Sequence, residues 1–179
     1  MGRFVLIYGI LAGVISISLI LVSFVLECES GTGSVWVGYL IMLAALSLVF
    51  AGIKRYRDIE LGGVIRFWAA TGMGLGIAVV SAVVYAIGWE VYLWLTDYSF
   101  FPEYAKATIE AKRAAGASTA EIAKLTGEMA DLGKHYSQPL YRMVMTLLEI
   151  LPVGVVVSFI SAAALRKHRF LPYRGQIEP

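Results

Sequence analysis

The sequence predicts an all-α integral membrane protein: a four-helix bundle with an extramembrane helical hairpin between its third and fourth spans. Three observations point there. The 179 residues are 59% hydrophobic and only 16% charged, whereas soluble domains run at about 45–50% apolar and about 25% charged. The apolar residues fall in four blocks, each near the roughly 20 residues that a helix needs to cross a bilayer. Most of the remaining charge is gathered in one stretch, 97–138, and in short segments between blocks.

The first span is read over 4–26. Phe4 to Leu26 is uncharged and reaches roughly 35 Å as a helix, too long for the apolar region of about 7–15 residues in a cleaved signal peptide. No small-residue cleavage site follows, so a retained span is expected. Leu6 stands where N-myristoylation needs Ser or Thr. The loop 27–34 (ECESGTGS) is acidic and rich in turn formers. It holds the one cysteine, Cys28, which excludes an internal disulfide and is expected as a free thiol near the interface, with pairing to a neighbouring chain as the alternative.

The second span is read over 35–53, with Trp36 and Tyr39 at its start as interfacial aromatics. A basic connection follows, Lys54 to Arg66, with a bend at Gly62-Gly63. The third span covers 67–95. Phe67 and Trp68 mark one interface, and Trp89, Tyr92 and Trp94 the other.

The stretch 97–138 is read as a helical hairpin. Its first arm runs from Phe101 to Ala115, with Pro102 tolerated in the first turn and Gly116 at the C-terminal cap. Ser118 and Glu121 form a capping box for the second arm. That arm places Ile122, Leu125, Met129, Leu132 and Tyr136 on one face, which packs on the first arm or meets a partner. Pro139 closes the hairpin, and the fourth span covers 140–165.

Orientation follows from basic residues in the short connections. Loop 27–34 has none. Arg3, the connection (Lys54, Arg55, Arg57, Arg66) and the tail (Arg166, Lys167, Arg169, Arg174) all fall on one side of a four-span chain. That side is the cytoplasm, with both termini there and the hairpin in the periplasm.

Two acids lie inside apolar blocks, Glu90 and Glu149, roughly 8 and 13 Å inward from the outer ends of their spans. Ionisable groups at such depth face protein or water. Gly72 precedes Glu90 by five full helical turns, and Gly76, Val83 and Ile87 fall near the same stripe. The Gly72/Gly76 pair predicts a close helix approach, so Glu90 is expected to point into the bundle. Arg142 lies two turns before Glu149 on nearly the same face, and Pro152 should kink the helix around Glu149. In a structural reading, Arg142 pairs with Glu90 or Glu149 and locks span three to span four, leaving the other acid protonated or bonded to a tyrosine such as Tyr85. In a functional reading, the two acids and the kink bind a proton or small cation.

Gly9 and Gly13, continued by Ser16, make a second small-residue stripe, for internal packing or a dimer contact. Lys54, Arg55 and Arg57 are candidate contacts for anionic lipid headgroups. No metal constellation is present, since the two histidines, His135 and His168, are expected on opposite sides of the membrane, and neither HExxH nor CxxC occurs. No cofactor and no catalytic triad is expected. A net charge of +2 offers no strong field for nucleic acid.

Several strings together carry a resemblance: GIKRYRD at 52–58 followed by ELGG at 60–63, IGWEVY at 87–92, the GAS turn at 116–118, PLYRM at 139–143 and LEILPVG at 148–154. In these the chain resembles, over nearly its whole length, the bacterial family catalogued as domain of unknown function 4199 (DUF4199). The resemblance implies a small bacterial inner-membrane protein. It implies no activity, and it brings no catalytic or ligand residue across. Arg55, Asp58, Glu90, Glu149 and Pro152 belong to the matching strings.

The expected function is that of a non-enzymatic accessory or scaffold subunit whose periplasmic hairpin meets a protein partner, with membrane lipid around it. The alternative is a small transporter or channel subunit using Glu90 and Glu149 for proton or cation binding. It would work as a homo-oligomer, because four spans enclose little space.

Overall fold

The computed structural model describes residues 1–30, 35–167 and 171, without the side chains of 25–30 and 35–38. The side chains of Cys28 and Trp36, and the residues His168, Arg169 and Arg174, thus lie outside the described residues. Six helices follow one another: α1 (Gly2–Ser30), α2 (Val35–Glu60), α3 (Phe67–Leu95), α4 (Phe100–Ala114), α5 (Thr119–Tyr136) and α6 (Pro139–Leu165). No strand occurs among the described residues. Four stretches are long and apolar enough to cross a membrane: Gly2–Phe24, Tyr39–Glu60, Phe67–Leu95 and Pro139–Leu165.

The ends of these helices follow local chemistry. α2 does not stop at Ile53, as the hydropathy suggests, but continues through the basic segment to Glu60. Lys, Arg and Glu are good helix formers, and Lys54 pairs with Asp58 one turn on at 2.7 Å. The chain turns only at Gly62 and Gly63, with φ of 61° and 92°, a region open to glycine without steric penalty. α3 closes with the Tyr98 amide donating to the Leu93 carbonyl and the Asp97 amide to that of Trp94. This is the paired-bond closure that usually places glycine in the left-handed position; here Asp97 and Tyr98 take φ of 49° and 57°. α4 ends the same way around Gly116, at φ 82°. The capping box of Ser118 and Glu121 opens α5. Pro139 starts α6, where its missing N–H costs nothing, and α6 runs on through Pro152.

The chain forms two compact units, Met1–Gly88 with Leu147–Pro179, and Trp89–Thr146. In the first, Leu46, Val49 and Ile53 of α2, Met73 and Ile77 of α3, and Val157 and Leu165 of α6 make one buried core, with Phe4, Val5 and Tyr8 of α1 against it. Where these helices span a bilayer, lipid tails are as apolar as this core, so close van der Waals packing rather than removal from water holds it together.

α1 runs parallel to α3 in a regular four-residue register. Val5 meets Gly76, Gly9 meets Val80, Gly13 meets Val84 and Ile17 meets Gly88. A Cβ on Gly9 or Gly13 would come within 2.6 Å of the facing valine, so this stripe serves packing within the chain. The register also explains a departure from expectation. Gly72 has nothing within 4 Å of a Cβ position, because its counterpart would lie beyond the start of α1. Val83 and Ile87 are exposed. The stripe drawn from Gly72 to Glu90 is therefore packed at Gly76 but open at Gly72, Val83 and Ile87, and the buried residues of α3 include Met73, Ile77, Ser81, Ala82 and Tyr85.

In the second unit, α4 and α5 touch each other. Neither holds a fully buried residue. Ile122, Leu125, Met129 and Tyr136 are half-buried, while Leu132 is exposed. Phe101 stacks on Tyr136 with ring centroids 5.0 Å apart.

Candidate functional site

The polar centre of the second unit is built around Arg142. This residue lies in the first turns of α6 and is 3% exposed. Its Nε donates to Oε1 of Glu90 and its Nη2 to Oε2, both at 2.8 Å. Nη1 donates to the Tyr136 carbonyl, also at 2.8 Å. The planar fork thus meets the carboxylate with two parallel bonds, the geometry in which arginine binds a carboxylate most strongly. The third bond satisfies a carbonyl at the end of α5, where a cation also complements the helix dipole. The guanidinium carbon sits 5.1 Å from the Tyr98 ring centroid and 5.8 Å from that of Tyr136, within cation–π range.

Each element delivers its side chain for a local reason. Glu90 is in α3, and its side chain is 25% exposed. Tyr98 is aimed by the left-handed turn that ends α3. A bulky residue at positive φ is costly and persists where its surroundings hold it; here the Arg142 guanidinium lies over its ring. Tyr136 is fixed from the other side, since the Trp89 indole N–H donates to its hydroxyl at 2.9 Å. Trp89 packs edge-on against Phe100, with ring centroids 4.9 Å apart. A cavity of about 370 Å³ opens beside this cluster, with Arg142, Tyr98 and Tyr136 in its wall.

Of the expected alternatives for Arg142, the structure holds the one with Glu90. Glu149 is exposed on α6 and makes no hydrogen bond or ion pair among the described residues. Both oxygens of Glu90 are engaged by Arg142. Tyr85 is buried in α3. Pro152 lies inside α6 and leaves the Leu148 carbonyl without its usual helical donor.

The basic cluster also needs correction. Arg57 is 0% exposed. It binds Asp58 at 2.7 Å and the carbonyls of Leu165 and Leu171 at 3.4 and 2.6 Å, so it cannot meet a lipid headgroup. An arginine near the end of α2 is drawn inward because carbonyls at and beyond the end of α6 lack helical partners and Asp58 supplies the counter-charge. Lys54 is bound to Asp58 and keeps its side chain 35% exposed; Arg55 is exposed. Those two remain the candidate headgroup contacts. No group of three or more metal-ligating side chains occurs among the described residues.

The sequence does not point to Tyr98 or Phe101 as parts of this centre, reads Trp89 only as an interfacial aromatic, and assigns Tyr136 to a face that packs on the first arm or meets a partner. The available signal was aromatic density, since residues 89–104 read WEVYLWLTDYSFFPEY.

Compared with known families, the one described as "Protein of unknown function (DUF4199)" matches residues 7–167. The chain belongs to the DUF4199 family. The match takes in most of α1 and all of α2 through α6, and includes Glu90, Tyr136 and Arg142, so the geometry centred on Arg142 lies within the DUF4199 region. No curated protein and no solved structure matches the chain.

Proposed function

We propose that this DUF4199 protein is a non-enzymatic accessory or scaffold subunit of the bacterial inner membrane. α1, α2, α3 and α6 form its membrane bundle, with both termini in the cytoplasm. α4 and α5 form a periplasmic hairpin that presents a partner-binding surface.

The observation that carries this reading is the bidentate Arg142–Glu90 pair with its third bond to Tyr136. It ties α3, the end of α5 and the start of α6 at one point. Such a tie gives the hairpin a fixed root and suits an element that displays a surface. Breaking a buried ion pair is costly, while its net contribution to stability is small, so its best-attested use is to specify one arrangement. α4 and α5 have no fully buried residue, leaving most of their length available to a partner.

The test is to delete Asp97–Gln138, join the ends with a short flexible linker and compare co-purifying membrane proteins with those of the full chain. In parallel, a photo-crosslinking residue at Lys124, exposed on α5, should trap the same protein in cells. Loss of one partner on deletion, matched by a crosslink from Lys124, is expected. An unchanged set of partners with no crosslink would reject the scaffold reading.

A second reading rests on Glu149. An exposed, unpartnered acid in a spanning segment is expensive and suits a proton or cation site formed in an oligomer. It predicts that Glu149→Gln abolishes a flux in proteoliposomes while folding survives.

A further inference from the structure

The cavity beside Arg142 is lined only by residues of the Trp89–Thr146 unit. Its volume of about 370 Å³ falls in the range of small-molecule sites, roughly 300–1,000 Å³. Leu93, Phe101, Pro102 and Pro139 give it apolar walls, while Arg142, Tyr98 and Tyr136 provide the polar side. This is the pattern of a ligand site: an apolar body with a few converging polar groups.

The chemistry of the polar side narrows the ligand. Arg142 carries five N–H groups, and three are committed to Glu90 and the Tyr136 carbonyl. One hydrogen on each terminal nitrogen remains to meet an acceptor. Glu90 already cancels the charge of the guanidinium, so an anion entering here would repel the Glu90 carboxylate or displace it. An uncharged acceptor suffers neither effect. A cation would meet Arg142 at close range and is disfavoured.

Position narrows it further. Leu93 is two residues from the end of α3, and Pro139 is the first residue of α6, so the cavity lies where two spanning-length helices end. Trp94, Leu95 and Leu140, at those same ends, are exposed and would face lipid in a bilayer. The ester carbonyls of membrane lipids lie at that level, with acyl chains just below.

We propose that this cavity binds an acyl ester through its uncharged carbonyl, which accepts from Arg142, with the first part of the acyl chain lying among Leu93, Phe101, Pro102 and Pro139. The site rests on the reading that α3 and α6 span a membrane, and it is independent of any protein partner for the hairpin.

Gly133 provides the test. It lines the cavity, and a Cβ there would come within 3.0 Å of the Phe101 ring edge, so a longer side chain would fill the space beside Phe101. The purified full chain is offered dioleoyl phosphatidylcholine, methyl oleate or oleate at graded concentrations, and retained ligand is counted by native mass spectrometry. One ester per chain is expected. Each ligand carbon excluded from an apolar site weakens binding about four-fold, so Gly133→Ala should weaken retention by about that factor and Gly133→Leu by on the order of a hundred-fold. Phosphatidylcholine retained in preference to methyl oleate identifies a membrane lipid as the source, and the reverse identifies a free ester. Circular dichroism of each variant separates loss of the site from loss of fold. No retained ester, equal retention by a folded Gly133→Leu chain, or oleate binding more tightly than its methyl ester would overturn the proposal. Alkaline carbonate treatment of the source membranes keeps the two readings apart. A chain that is washed off them refutes the spanning helices, whereas one that stays but retains no ester refutes only the cavity site.

Discussion

Removing one partner of the Arg142–Glu90 pair should cost far more than removing both. Breaking a fully buried ion pair typically costs about 3–5 kcal/mol, because a charge is left without compensation. Glu90→Leu strands Arg142, which is 3% exposed and would keep only its bond to the Tyr136 carbonyl, so the full cost of about 3–5 kcal/mol applies. Arg142→Met strands Glu90, whose side chain is 25% exposed; water can share that charge, and about 2–3 kcal/mol is expected after the discount for solvent screening. The double substitution replaces the pair by apolar side chains of similar volume and should return to within about 1 kcal/mol of the native chain. The resulting coupling energy, at least about 4 kcal/mol, lies above the usual range of about 0.5–3 kcal/mol for contacting residues in a double-mutant cycle. Reversible unfolding in mixed micelles, driven by added sodium dodecyl sulfate, measures all four proteins. Additive losses, with the double variant as unstable as the sum of the two singles, would refute the view that this pair is a mutually dependent clasp.

Three further outcomes follow from other parts of the chain. Gly13→Ala should destabilise by about 1–3 kcal/mol through overpacking, since its Cβ would meet Val84 at 2.6 Å and the Ser81 carbonyl at 2.7 Å; Gly72→Ala, with open space, should be neutral or slightly stabilising in the same unfolding assay. Arg57→Ala should cost about 3–5 kcal/mol by leaving Asp58 with Lys54 alone and the Leu165 and Leu171 carbonyls without their donor, and should speed proteolysis after α6. Bonds from the Ser118 amide and hydroxyl hold the Glu121 carboxyl below the usual glutamate range, and a hydrogen bond from Lys134 does the same for Asp131. Both groups ionise more readily folded than unfolded, so their stabilisation is present above the ordinary carboxylate range and is lost as pH falls through the folded values. Far-ultraviolet circular dichroism should show helix loss in acid, with a smaller change in Glu121→Gln.

What could be read from the residues depended on whether the cause was local. The four stretches long and apolar enough to span are legible because a bilayer demands about 20 apolar residues. The start of α5 is legible because the Ser118–Glu121 box is completed within four residues. The end of α2 was misplaced because hydropathy marks where lipid ends, and a helix of Lys, Arg and Glu continues beyond that point. On α3 the close approach expected of the Gly72/Gly76 pair is made at Gly76 alone, because Gly72 lacks its neighbour only through the register with α1, which no local pattern reveals. Arg57 reads as surface charge until the carbonyls of Leu165 and Leu171, more than a hundred residues away, are placed beside it. Arg142 could be matched to an acid from the sequence, but choosing Glu90 over Glu149 needed the turn at Asp97–Tyr98 and the end of α5.

The account depends most on the sidedness of the chain. With Cys28 replaced by serine, Ala117→Cys in the turn between α4 and α5 and Glu60→Cys at the end of α2 each carry a single thiol. A maleimide that cannot cross membranes should label Ala117→Cys in intact spheroplasts and reach Glu60→Cys only after lysis. Labelling of Glu60→Cys in intact spheroplasts, with Ala117→Cys protected until lysis, would contradict the account.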